Sequence, residues 1–224
     1  MEKHEKNKRH GKCIVWMGGI LFVAFVVWTI LIQMLDVQPI GPNGTNVGFA
    51  IWNSLFHKWT GVHMTIYTLT DWLGLVPICI CMVFGGIGFV QLVHRRSLLK
   101  VDFDIIMLGI YYVVVIVSYL AFERFPINYR PILIEGRLEA SYPSSTTLLV
   151  LSVMPTLIEQ TNRRVSNMVL KRVIYSLDIC FSAFMVIGRL FSGVHWFTDI
   201  VGAILLSAGL FCMYKAVILL YSQK

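Results

Sequence analysis

Six apolar runs restrict this chain more than any other feature. They lie at roughly residues 13–35, 71–93, 103–122, 145–158, 172–188 and 196–220. A helix needs about 20 apolar residues to cross the hydrocarbon of a bilayer, and inside it every backbone N–H and C=O must be satisfied within the helix itself. The fourth run is short for a crossing, so it needs its polar flanks or the shelter of neighbouring helices. The chain is 57% hydrophobic and 14% charged over 224 residues, too little charge to clothe a soluble domain of that size. The expected fold is an all-α integral membrane protein, a six-transmembrane-helix bundle. Asp178 alone places a charge at mid-span, and it is expected to bond a neighbouring helix. The first run follows a basic start but is longer than a signal-peptide core, which makes it a signal-anchor helix.

Charge placement orients the bundle. Lys3, Lys6, Lys8, Arg9 and Lys12 precede the first run, and Arg95, Arg96 and Lys100 follow the second. Arg163, Arg164, Lys171 and Arg172 follow the fourth, while Lys215 and Lys224 fall in or after the sixth. All lie on one side if both termini are cytoplasmic, as the positive-inside bias requires. The net charge of +7 is then a topological signal, and no nucleic-acid partner is expected. The other five basic residues are Lys58, Arg124, Arg130, Arg137 and Arg189. Three of them share the loop 123–144 on the outer side. Positive charge there runs against the bias and implies an outward-facing anion site. Within the external segment 36–70, Phe49, Trp52, Phe56 and Trp59 recur at helical steps, as in an amphipathic helix on the outer interface. Residues 1–70 thus read as a cytoplasmic tail, the first transmembrane helix and an external amphipathic segment. Residues 71–224 read as a five-helix membrane core, with the chemistry in 123–199. The five cysteines lie in or beside apolar runs and read as buried thiols.

Two short segments carry candidate chemistry. In "GRLFSGVHWFTD", residues 188–199, His195 and Asp199 are four apart at a helix start and share one face. Asp199 can accept from one ring nitrogen of His195, which fixes the tautomer and frees the other nitrogen to attack. Arg189, on the far side of the Ser192-Gly193 turn, can clamp a phosphoryl group through paired hydrogen bonds. In "SYPSSTTLLVL", residues 141–151, Ser144, Ser145 and Thr146 precede an apolar run. Such hydroxyls cap helices, and together with free N–H groups they also cradle phosphate.

The first of these segments resembles the third motif of the type 2 phosphatidic acid phosphatase (lipid phosphate phosphatase) superfamily, S-R-x5-H-x3-D. Arg189, His195 and Asp199 keep its spacing, Gly193 stands at the usual glycine, and Gly188 replaces the serine. The family's first motif, K-x6-R-P, is matched at Arg130-Pro131, but Glu123 holds the lysine position with Arg124 beside it. The second motif, P-S-G-H, reads Pro143-Ser144-Ser145-Thr146, so Thr146 stands where the family has a proton-donating histidine. The resemblance covers about residues 100–215.

It implies a membrane lipid phosphatase with its active site at the extracytoplasmic face. His195 attacks phosphorus and forms a phosphohistidine, which water then hydrolyses. Asp199 orients His195, and Arg130, Ser144, Ser145 and Arg189 hold the phosphoryl oxygens. No cofactor and no metal is needed. The implied partners are a lipid phosphate or lipid pyrophosphate substrate and membrane lipids, and the compact chain fits a multi-pass protein of a bacterial plasma membrane. The roles of Thr146, Glu123 and Arg124 stay open. A threonine hydroxyl cannot serve as a general acid near neutral pH. A leaving group that is already a stable anion needs no such acid, which favours pyrophosphates. The alternative is a catalytically impaired member that binds lipid phosphates as a sensor, carrier or scaffold.

Overall fold

The computed structural model describes residues 2–221. Lys224, placed above on the cytoplasmic side, lies outside them, as do the side chains of Lys3 and Lys6. The chain forms α1 (Glu2–Met34), α2 (Ala50–Thr60), α3 (Met64–Leu73), α4 (Leu75–Arg95), α5 (Phe103–Arg124), α6 (Ser145–Arg164), α7 (Met168–Phe191) and α8 (Phe197–Tyr221). No strand forms among the described residues, where β pairing is limited to isolated bridges.

Five stretches are long and apolar enough to cross a membrane: Lys8–Met34, Met64–Arg95, Phe103–Arg124, Met168–Phe191 and Phe197–Tyr221. The fourth apolar run becomes α6, which has the length but not the composition. Its buried face carries Thr147, Ser152, Thr156, Gln160 and Thr161. Neighbours supply the partners that lipid would not. Tyr112 Oη is 2.7 Å from Thr156 Oγ1, and Gln160 Nε2 donates to Tyr214 Oη at 3.2 Å. α8 is the most enclosed span, flanked by α1, α5 and α6. The main core runs between α5, α6 and α8 through Leu108, Tyr111, Leu148, Leu206 and Tyr214.

The second run begins earlier than its hydropathy implies. α3 starts at Met64, so Tyr67, Thr70 and Asp71 lie on a helix that passes through Gly74 into α4. α2 is the expected amphipathic helix. Trp52 and Trp59 are exposed, while Asn53 is buried and donates to Gly48 O and Thr198 Oγ1. Asp178 departs from expectation: it is buried in α7, yet its Oδ1 finds no hydrogen-bond partner among the described residues.

The two ends of the bundle differ in chemistry. At one end Arg95 meets Asp102 at 2.7 Å and Arg164 meets Asp104 at 2.7 Å, tying the α4–α5 connection to the end of α6. The hydrogen bond from Arg95 holds the Asp102 carboxyl below its ordinary value. The opposite end gathers the C-termini of α5 and α7 with the N-termini of α6 and α8. There the 125–144 connection folds back as a small hairpin. Ile134 and Arg137 exchange backbone hydrogen bonds around Glu135 and Gly136, both at positive φ, the left-handed pair that tight hairpins favour. Arg130 N then pairs with Glu139 O and Ser141 N with Asn128 O. This register brings Asn128, Arg130 and Ser141 to the same end as the turn between α7 and α8.

Candidate active site

His195 lies in that turn, just before α8, and is 3% exposed. Gly193 shapes its approach. It has φ +70, and a Cβ there would run into the Gly61 carbonyl, so the turn presses directly on the chain between α2 and α3. Trp196 Nε1 donates to Tyr129 O at 2.7 Å, which pins the turn to the hairpin.

Asp199 is fully buried and accepts three hydrogen bonds. Trp196 N donates to Oδ2 at 2.8 Å, Asn128 Nδ2 donates to Oδ1 at 3.2 Å, and the Ser141 hydroxyl makes a short bond to Oδ2. A carboxylate this deep requires such donors. The expected direct bond between Asp199 and His195 is not made, because His195 Nδ1 lies 3.6 Å from Asp199 Oδ2. Ser141 stands between them, with Oγ 3.1 Å from Nδ1. Its hydroxyl proton is committed to Asp199, so its oxygen accepts from Nδ1–H. That assigns the tautomer and leaves Nε2 unprotonated, with its lone pair toward Arg189. Burial, then the charges of Arg130 and Arg189, hold the His195 pKa well below its ordinary value. The imidazole is therefore neutral at neutral pH.

Nε2 faces Arg189 Nη2 at 3.4 Å. Arg189 is 1% exposed and spans two neighbours, with Nη1 3.5 Å from Thr70 Oγ1 and 3.6 Å from Asp71 Oδ1. The glycine before it has a structural reason: a Cβ on Gly188 would come within 2.7 Å of Thr70 Cγ2 and push α3 away from Arg189. Arg130 reaches the same place from the hairpin. The guanidinium carbons of Arg189 and Arg130 lie 5.0 and 5.8 Å from the centroid of one ring, Tyr67. Arg130 Nε is 3.2 Å from Glu139 Oε2, a charge contact without hydrogen-bond alignment. Arg130 Nε and Nη1 and Arg189 Nε have no hydrogen-bond partner among the described residues. Buried charged donors left unpaired cost more than they return. Two such cations against one aromatic ring make a site suited to a doubly charged anion.

The second segment forms the adjoining wall. Ser144 is the N-cap residue of α6, but its hydroxyl donates to Thr147 Oγ1 at 3.1 Å and caps no backbone N–H. Its own N–H donates to Asp199 O at 3.2 Å, tying α6 to α8. Ser145 and Thr146 line a cavity of about 530 Å³ bounded by Asp71 on α3 and by α4, α5 and α6, and otherwise mostly apolar. Glu123 and Arg124 are exposed at the end of α5. Arg124 stacks on Phe125, and Glu123 borders a separate hollow of only about 10 Å³ beside Ser145. Neither forms a hydrogen bond or ion pair with Arg130, Arg189 or His195 among the described residues. No three His, Cys, Asp or Glu side chains gather as metal ligands among those residues.

The model of the PAP2 superfamily matches residues 106–221. The chain belongs to the PAP2 superfamily. No curated protein matches its sequence. Its fold is similar to a crystal structure of a transmembrane PAP2-type phosphatidylglycerolphosphate phosphatase from Bacillus subtilis. The TM-score is 0.62 at 15% identity, covering 88% of this chain and 94% of that one.

The structure gathers His195, Asp199, Arg130 and Arg189 of this PAP2 chain at one point, with Ser144 and Ser145 beside them. It adds Tyr67, Thr70, Asp71, Asn128 and Ser141, which sequence reasoning did not assign. Ser141 heads the segment already singled out, and its hydroxyl was a readable signal. Tyr67, Thr70 and Asp71 gave none, because they sit where the external segment 36–70 meets the apolar run 71–93.

Proposed function

We propose that this chain is a membrane lipid phosphatase in which His195 Nε2 takes the phosphoryl group and water then releases it. The observation that carries this reading is the buried chain from Asp199 through Ser141 to Nδ1, which leaves Nε2 unprotonated beside Arg189. In the first step the Nε2–P bond forms as the P–O bond to the lipid breaks. Arg130 and Arg189 hold the phosphoryl oxygens and stabilise charge that is already positioned for. Ser145 contributes its hydroxyl from the α6 wall, and Ser144 holds α6 against the Asp199 backbone. The lipid part lies in the apolar cavity between α4, α5 and α6. In this reading α6 also spans, as the fourth of six, both termini are cytoplasmic, and the site opens at the outer face of a plasma membrane.

Arg189→Lys is expected to lower kcat/KM by about 10²–10³-fold, the usual cost of losing one preorganised donor at a reacting oxyanion. Lysine keeps the charge but cannot face Thr70, Asp71 and His195 with separate donors. Substrate preference follows from the leaving group. Cleaving a lipid pyrophosphate expels a phosphate monoester, whereas cleaving a lipid monophosphate expels an alkoxide that must be protonated. Thr146 supplies no acid, so lipid pyrophosphates are expected to turn over faster than the matching monophosphates. Phosphate release by the purified protein over both substrate classes, run beside His195→Ala, tests the function. Equal rates on the two classes would remove the preference, and equal rates for wild type and His195→Ala would remove the enzyme.

A further inference from the structure

The proposed reaction leaves a proton unaccounted for. The leaving oxygen of a lipid monophosphate must gain one, and the water that attacks the phosphohistidine must lose one. In an in-line displacement the leaving oxygen is on the side of phosphorus away from His195, and the lipid attached to it must enter an apolar space. The cavity of about 530 Å³ is that space, and Asp71 is the one carboxyl among its described lining residues.

Resting on the phosphatase reading, the geometry points to Asp71 as the proton donor to the leaving oxygen and the acceptor for the attacking water. Arg189 stands between the two groups, with Nη2 3.4 Å from His195 Nε2 and Nη1 3.6 Å from Asp71 Oδ1. A phosphoryl group held by this guanidinium therefore has the nucleophile at one end and the carboxyl at the other. Asp71 and Thr146 also meet at one residue. Gly74 N donates to Asp71 O at 3.0 Å, and a Cβ on Gly74 would lie 3.7 Å from Thr146 Cγ2.

The other groups around the cavity do not serve. Ser145 and Thr146 hydroxyls, the Tyr112 and Tyr119 phenols and the Cys81 thiol are too weakly acidic near neutral pH. Glu139 is engaged with Arg130 and does not line the cavity.

Asp71 changes partner on substrate binding. In the free protein its carboxylate faces Arg189. Bound phosphoryl oxygens take over that guanidinium and leave the carboxyl facing the leaving oxygen. Its side chain is 59% exposed, so solvent delivers the proton. In the first step the Nε2–P bond forms, the P–O bond breaks and the Asp71 proton passes to the alkoxide, releasing an alcohol. In the second, water adds to phosphorus, its proton passes to Asp71 and the N–P bond breaks. The sum is hydrolysis, with Asp71 restored.

The test is the leaving-group dependence of Asp71→Asn, read as phosphate release from an alkyl monophosphate lipid and from an aryl monophosphate, whose leaving group needs no proton. Asp71→Asn is expected to lose about 10²–10⁴-fold on the alkyl substrate and under about tenfold on the aryl one. The pyrophosphate preference widens accordingly. Asp71→Glu keeps a carboxyl and retains part of the alkyl rate. Adding Thr146→His to Asp71→Asn places an imidazole beside Gly74 and recovers part of the loss. Equal losses on both substrates would mean that Asp71 only positions Arg189, and no loss on either would mean that it plays no part; both results overturn the inference. The same signature in Glu123→Gln would transfer the role and also overturn it. Wild type inactive on every substrate, like His195→Ala, would instead count against the phosphatase reading itself.

Discussion

His195→Ala is expected to reduce phosphate release at least about 10⁴-fold, to the residual rate left when a covalent catalyst loses its nucleophile. The prediction is strong because nothing nearby can substitute. Two further imidazoles pack against the same turn, but His57 Nε2 is engaged with Gly193 O at 3.0 Å and His63 Nε2 with Thr60 O at 2.9 Å. His195 remains available because its buried, cation-flanked ring resists protonation. Wild type and variant, measured for kcat on one lipid pyrophosphate with substrate binding followed separately, provide the check. Binding should survive, since Arg130 and Arg189 hold the oxygens. A loss of binding with kcat unchanged would move His195 from chemistry to substrate holding.

Asp199→Asn is expected to cost about 10³–10⁴-fold in kcat, close to what the corresponding change costs in a serine protease triad. The reason is proton bookkeeping along the relay. Asp199 accepts from Ser141, Trp196 and Asn128 and donates nothing. An amide has one accepting oxygen and one donating nitrogen, so one of these contacts must reverse. If the amide nitrogen takes the Oδ2 place, the Trp196 N–H loses its acceptor and the serine hydroxyl turns to donate to His195 Nδ1. The ring proton then moves to Nε2, and the attacking lone pair is gone. If it faces Asn128, two buried donors meet and the fold is weakened instead. Kinetics and thermal unfolding of the same preparation separate the two. A folded variant with kcat reduced and KM little changed matches the tautomer argument. Full activity would show that the Ser141 relay does not set the ring proton.

Much of this architecture is legible in the sequence because lipid imposes a simple rule. The five apolar stretches declare themselves by length and hydropathy, and the spacing of Arg189, His195 and Asp199 survives folding because it is local. α6 is harder to read because its polar residues are satisfied by Tyr112 and Tyr214, which are distant in sequence. The relay through Ser141 depends on the hairpin turn at Glu135-Gly136, which sets the register of residues 128–141. No periodic pattern reports that register. Tyr67, Thr70 and Asp71 join the site because α3 packs against α7 at Gly188, a contact between segments distant in sequence. The departure at Glu123 also resolves in space, since the side chain is exposed and faces a separate hollow.

The central claim is that phosphorus is bonded to His195 during turnover. Rapid acid-free quenching of the purified protein with a lipid pyrophosphate labelled in its terminal phosphoryl group tests it directly. Label is expected on wild type, stable in base, lost in acid and absent from His195→Ala, with more label on any variant that slows the hydrolytic step alone. Phosphate release by wild type with no labelled protein under conditions that slow that second step, or equal labelling of His195→Ala, would contradict it.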